Sequence, residues 1–226
     1  MIKYNKGSEN MEHNLKSSIE FYIMATKIKN KLRSGWNDEH WNISCERRES
    51  VAEHVYGTCI LAISLYPYYD TKINLDKVLK MLIIHELSEN LIQDFTPAEN
   101  ISKEEKLKLE HEAILKVIGE FVNKNELIDL ILEFDECKTP EARFAFQCDK
   151  LEADIQSKIY QDKNQHHSLD DLPNNVAMNS SKVQEIIRNG AQTAFDVWYE
   201  YDKKLYDENS IFKEALDYIK TNNTDI

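Results

Sequence analysis

Four side chains in this sequence are suited by type and placement to holding a metal ion. His85 and Glu86 are adjacent and close an almost wholly apolar stretch, Val78-Leu79-Lys80-Met81-Leu82-Ile83-Ile84. On a helix, residues three and four apart share a face. Leu75, Leu79 and Leu82 lead to Glu86, and Val78 and Leu82 lead to His85, so both polar groups project from a face built for burial. A buried carboxylate has to be neutralised, paired or bound to a cation. Two more ligand candidates fall on other expected helices: His54 in Ser50-Val51-Ala52-Glu53-His54, and Asp149 in Gln147-Cys148-Asp149-Lys150-Leu151-Glu152. Two imidazoles with two carboxylates suit one divalent ion such as Mn, Co, Fe, Ni or Zn better than Ca; Mg is a further candidate. His54 lies in a first helical turn, where the dipole disfavours imidazolium and keeps the lone pair available. Glu89, one turn past His85, and Asp94, farther along, are placed to hold or deprotonate an attacking water. The run His85-Glu86-Leu87-Ser88-Glu89 is not a metalloprotease HExxH, because Glu89 stands where the second His is required.

These residues need helices to position them, and the sequence supplies helical patterns throughout. The first covers about 11–32, with Leu15, Ile19, Tyr22, Ile23 and Ile28 as its apolar positions. A polar, irregular segment with Trp36 and Trp41 follows. The next helix starts sharply at Ser50, which forms a capping box with Glu53, and stops before Pro67. The helix bearing His85 and Glu86 is expected over about 75–93. A charged helix spans about 102–122. Thr139-Pro140-Glu141 is a further clear start: cap, Pro at the first position, acid in the first turn. That helix carries Phe144, Cys148, Leu151, Ile155 and Ile159 at helical spacing. After a polar loop over 163–180, helices are expected over about 181–206 and 211–219. No strand alternation, repeat or linker stands out. The expected fold is all-α, one compact domain over 1–226, with a core over about 11–160 and additional C-terminal helices within 181–220.

Bulk composition bounds the function. With 226 residues, 5 Gly and 4 Pro, the chain suits long helices around one well-buried core. A net charge of −12 disfavours nonspecific binding to nucleic acid or anionic membrane. It leaves room for a small anionic substrate, since a local Arg cluster can dominate one pocket. No apolar run approaches the roughly 20 residues needed to cross a bilayer, and the N-terminus has no signal-like stretch. Cys45, Cys59, Cys137 and Cys148 show no CxxC spacing. Reduced thiols in a cytoplasmic protein are the simplest expectation.

The same residues, taken in order, resemble the HD-domain phosphohydrolase superfamily. The closer similarity is to its metal-dependent 5′-deoxynucleotidase branch, typified by bacterial YfbR. The resemblance runs through Arg33-Ser34-Gly35-Trp36, Arg48-Glu49-Ser50-Val51-Ala52-Glu53-His54, His85-Glu86-Leu87-Ser88-Glu89 and Asp94-Phe95-Thr96-Pro97. It ends with Thr139-Pro140-Glu141-Ala142-Arg143-Phe144 and Asp149-Lys150-Leu151-Glu152. It covers about residues 19–159 and is loose beyond Tyr160. It implies an HD-type helical bundle in which His54, His85, Glu86 and Asp149 bind the metal. Glu89 and Asp94 would position or activate water and hold the sugar. Arg33 would contact phosphate, and Trp36 would pack against base or sugar. Two departures stand out: Glu86 replaces the family's usual Asp, and Gln93 stands where relatives often have Gly.

These readings converge on one expected activity, hydrolysis of a nucleoside 5′-monophosphate to nucleoside and phosphate. Arg33, with Arg48 and Lys150 as further candidates, would balance the phosphate charge. The alternatives are another small phosphate ester, a nucleoside triphosphate or an alarmone as substrate, or a non-catalytic metal- or nucleotide-binding regulator. Trp198, Tyr199 and Tyr201 could pack in a homodimer, as relatives do, or in the chain's own core.

Overall fold

The computed structural model describes residues 6–92, 102–172, 175–208 and 210–224, apart from the side chains of 6–13 and 103. Nine α-helices are present among them: α1 Lys6–Ala25, α2 Val51–Leu65, α3 Leu75–Ile84, α4 Lys103–Ile118, α5 Lys124–Glu136, α6 Pro140–Asp162, α7 Ser181–Arg188, α8 Ala194–Asp202 and α9 Ile211–Thr221. Among the described residues there is no β-strand; the one extended pairing is an isolated bridge between Leu32 and Ser50. The chain is therefore all-α, as expected. Among the described residues no helix is long and apolar enough to cross a membrane.

Helix α6 is the axis. Thr139 caps it by accepting from the Ala142 N–H (3.2 Å), and Pro140 occupies the first turn. Phe144, Ala145, Cys148, Leu151 and Ala153 are all buried, so apolar contact surrounds the helix instead of following one stripe. It packs against α2, α3, α5, α8 and α9. Its first half enters a core built on Met81, Leu82, Ile118, Phe144, Leu151 and Phe212. Its C-terminal Tyr160 enters a second core with Trp36, Trp41, Ile43 and Val197.

Three helices differ from the sequence expectation. The first ends at Ala25 and continues as a short 3₁₀ turn. Leu15, Ile19, Tyr22 and Ile23 lie exposed, while Phe21 stacks on Phe121 at 4.7 Å. The helix expected over 75–93 stops at Ile84, because Glu86 leaves helical geometry (φ −97°, ψ 14°) before a 3₁₀ turn over Leu87–Asn90. The span 181–206 splits into α7 and α8 at Gly190. Its φ of +113° suits glycine and ends α7, and a Thr193 capping box opens α8.

Candidate metal centre and its cavity

His54 is placed by the start of α2. Ser50 caps the helix by accepting from the Glu53 N–H, and the Glu53 carboxylate accepts from the Ser50 N–H (2.9 Å). One turn later His54 is fully buried. The preceding strand-like segment is tied to the same helix start: Val51 N–H donates to the Lys31 carbonyl (2.8 Å), and Arg33 N–H to the Glu49 carbonyl (3.1 Å). That pairing brings Arg33 alongside the site.

The end of α3 orients His85. Its Nδ1–H donates to the Leu82 carbonyl at 2.7 Å, which leaves Nε2 with the lone pair. Nε2 faces Glu86 Oε1 and Asp149 Oδ1, each 3.5 Å away. His54 Nε2 lies 2.9 Å from Asp149 Oδ1 and 3.8 Å from Glu86 Oε1. Ligand atoms of His54, His85, Glu86 and Asp149 thus all fall within 4.8 Å of one another. The buried Nε2 of His85 has no hydrogen-bond partner, a costly condition that a cation at the cluster's centre would relieve. The donor set fits a borderline divalent metal. Glu86, one methylene longer than the family's usual Asp, places Oε1 in the cluster from a residue where the chain has already left the helix.

Charge at the site follows from these contacts. Burial opposes ionisation of Glu86, yet His85 and His54 hold its carboxyl down to about 2. Burial likewise opposes ionisation of Asp149. Lys150, 2.9 Å from its Oδ2, and the two imidazoles hold it well below the usual carboxylate range. Lys150 is itself pushed up by Asp149 against burial, so it stays cationic. His54 departs from the dipole argument: burial and Arg33 pull its pKa down, but Glu152 and Asp149 on its two nitrogens push it up to about 9. Asp149, 2.9 Å away, and Glu152, hydrogen-bonded to the other nitrogen, outweigh a partial charge at a helix end.

Sequence reasoning missed the groups behind the ligands. Glu152, one turn along α6 from Asp149, hydrogen-bonds His54 Nδ1. Its carboxylate fits only because residue 57 is glycine; a Cβ there would collide with it. Glu49 accepts from the buried Trp36 Nε1–H (2.8 Å), and burial together with Glu152 pushes its carboxyl up to about 7. Lys31 donates to the Glu89 carbonyl (2.5 Å) and to that of Ile92, clamping the turn after the metal ligands. Beyond Lys150, Tyr206 donates to Asp154 Oδ2 (2.7 Å), and burial plus Asp202 pushes the Asp154 carboxyl well up. Gly57, three residues after His54, was the legible signal for Glu152; the others become neighbours only on folding.

A cavity of about 390 Å³ opens from the ligands. Arg33, Glu86, Glu89, Asp149 and Lys150 line its polar end, so five of the expected residues converge there. Two do not. Trp36 is fully buried, stacked on Trp198 at 5.0 Å, and belongs to the core rather than to the cavity wall. Arg48 is absent from the lining, since its Nε donates to the Ile43 carbonyl (2.9 Å) and its terminal nitrogen to Asp38 (2.6 Å). Asp94 lies outside the described residues. Trp198 and Tyr199 are used within the chain, the latter donating to Asp217 at 2.8 Å.

Fold and site together define a class: a helical protein with a two-histidine, two-carboxylate cluster that could hold a divalent cation, open to a small-molecule cavity. Comparison with known proteins gives the class its name. The sequence profile of the HD domain family matches residues 25–190. The chain is 35% identical to the 5′-deoxynucleotidase HDDC2 of Dictyostelium discoideum, over 67% of this chain and 80% of that protein. It is 31% identical to the human 5′-deoxynucleotidase HDDC2, over 66% and 71% respectively. A predicted metal-dependent phosphohydrolase from Magnetospirillum magnetotacticum shares the fold, with a TM-score of 0.62, 20% identity and 92% of each chain covered. The chain belongs to the HD domain family.

Proposed function

We propose that this protein is a metal-dependent phosphohydrolase that removes phosphate from deoxynucleoside 5′-monophosphates. The observation that carries this reading is the convergence of His54, His85, Glu86 and Asp149 around the partnerless His85 Nε2, at the polar end of a cavity that also holds Arg33 and Glu89. The curated relatives named 5′-deoxynucleotidase support the choice of substrate. A bound divalent ion supplies Lewis-acid polarisation of the phosphoryl group and a water of lowered pKa, near ~7. Arg33 and Lys150 carry the charge that meets the phosphate dianion. Glu89 is buried on the adjoining turn, where Lys31 fixes its backbone, and it holds or deprotonates the attacking water. Asp94 remains the second acid of this reading.

Four free cysteines fit a reducing cytoplasm. The exposed stripe of Leu15, Ile19, Tyr22 and Ile23 is the support for a homodimer, and sedimentation as a monomer would remove it.

A phosphate-release screen over nucleoside mono-, di- and triphosphates with Mn, Co and Mg tests the activity. Release from deoxynucleoside monophosphates is expected with at least one of these ions. Nucleotide binding without turnover under every metal would replace the enzyme with a regulator. Glu89→Gln should lower kcat by about 10²- to 10⁴-fold while metal content stays at the wild-type level. An unchanged kcat would take Glu89 out of the chemistry.

A further inference from the structure

The cavity changes character along its length. Its floor is one face of α6, running from Phe146 through Asp149 and Lys150 to Ala153, about 10 Å at 1.5 Å per residue. Around Asp149 and Lys150 it is charged, with Arg33, Glu86 and Glu89 facing them. Toward α8 the walls are Trp41, Val183, Val197, Trp198 and Tyr201, with Lys182 and Asp202 beside them. The small side chain of Ala153 leaves room between floor and wall. Three of those five wall residues come from α8, where Val197 and Tyr201 stand one turn apart on the same face.

Two details mark this end as a built slot. Trp198 is fixed from behind by stacking on Trp36 (5.0 Å, 28° between planes), which is held by Glu49. Lys182, which also lines the cavity, holds its ammonium over one face of the Tyr201 ring, 3.3 Å from the centroid, a cation–π contact that fixes the ring. Rigid aromatic surface facing a cavity is suited to a flat, weakly polar ring. The volume, about 390 Å³, falls in the small-molecule range of about 300–1,000 Å³. All three α8 residues lie beyond residue 190, where the family match stops.

We infer that the α8 end of the cavity is the nucleobase subsite, with Tyr201 as its stacking surface, so that a segment beyond the residues the HD profile matches sets base preference. The inference rests on the nucleotidase reading, which puts the phosphate at the metal end. The base then falls at the apolar end of the same floor. Base preference becomes a property of α8, separable from the metal chemistry.

The test compares each deoxynucleoside 5′-monophosphate with 2-deoxyribose 5-phosphate, which has the sugar and phosphate and lacks the base. In metal-loaded wild-type enzyme, kcat/KM should be higher for the nucleotides. Tyr201→Ala should lower kcat/KM for nucleotides by about tenfold or more, mostly through KM, and leave 2-deoxyribose 5-phosphate unchanged. Tyr201→Phe, which keeps the ring, should retain nucleotide turnover. Equal kcat/KM for both substrate classes in the wild type, or equal loss on both in Tyr201→Ala, overturns the subsite and leaves the phosphohydrolase standing. If the wild type hydrolyses neither class, the nucleotidase reading fails. The slot is then decided by tryptophan fluorescence: quenching by free deoxynucleosides, lost in Tyr201→Ala, upholds it, and no quenching in the wild type overturns it.

Discussion

The two ends of the cavity are held in different ways. At the metal end the ligand side chains are fixed twice. His54 offers Nε2 to the cluster while Glu152 holds Nδ1; His85 offers Nε2 while the Leu82 carbonyl holds Nδ1; Asp149 offers Oδ1 while Lys150 holds Oδ2. At the α8 end Val197 and Trp198 are fixed by packing on their neighbours. Hydrogen bonds are directional and fix an atom's position; apolar contact is non-directional and fixes only shape. One end is therefore fixed atom by atom, and the other only in shape. The HD profile, over 25–190, contains every described metal-end residue together with Trp41 and Val183 of the far wall, and stops before α8.

The largest effect is expected at Asp149, on the hydrogen-bonded end. Asp149→Ala removes a ligand and strands Lys150 and the imidazoles beside a vacated carboxylate position. Metal content by elemental analysis should fall close to zero, and turnover by about a thousandfold or more, the several kcal/mol that a metal ion contributes. Retention of metal would show that the cluster is not the centre. A smaller effect is expected behind the ligands. Glu152→Gln keeps the shape and loses the charge that orients His54, so metal affinity should drop about 10- to 100-fold. An affinity equal to wild type would mean that α2 alone orients the ring.

The least severe test concerns the core behind the apolar end. His166 sits among Trp36, Trp41 and Tyr160, with Ser157 Oγ hydrogen-bonded to its Nε2 at 3.1 Å. Burial lowers its pKa from the ordinary 6.5 to about 4. The folded state thus prefers the neutral ring, while the unfolded chain takes up a proton near 6.5. The stabilisation is complete above about 6.5 and is lost as pH falls toward 4, on the order of 1 kcal/mol per pH unit. Urea unfolding at pH 7 and pH 5 should show that loss in the wild type and a reduced one in His166→Gln. Identical pH slopes would show that His166 does not titrate in this window.

Much of the centre was legible because its signals are local. Ser50 and Glu53 fix the start of α2, and with it the turn that carries His54. Thr139 and Pro140 fix the start of α6, and with it Asp149. The apolar run before His85 shows that His85 is buried. Trp36 and Arg48 were misplaced because a side chain's partner comes from elsewhere in the chain: Glu49 and Trp198 draw the indole inward, and Asp38 draws the guanidinium away. The apolar positions of α1 lie mostly exposed, since apolar periodicity shows which residues could be buried and not which neighbour arrives to bury them.

Local sequence determined the all-α class, the helix starts and the four candidate ligand residues, because caps and periodicity act within a few residues. Only the tertiary structure decided that Glu86 reaches the cluster from beyond the helix end, that Glu152 stands behind His54 in the space Gly57 leaves, and that α8 closes the far end of the cavity. Those facts depend on contacts between residues 95 or more apart for the His54 pairs, and on α8 packing against α6. Such contacts are set by how whole helices share a core, and no local pattern encodes them.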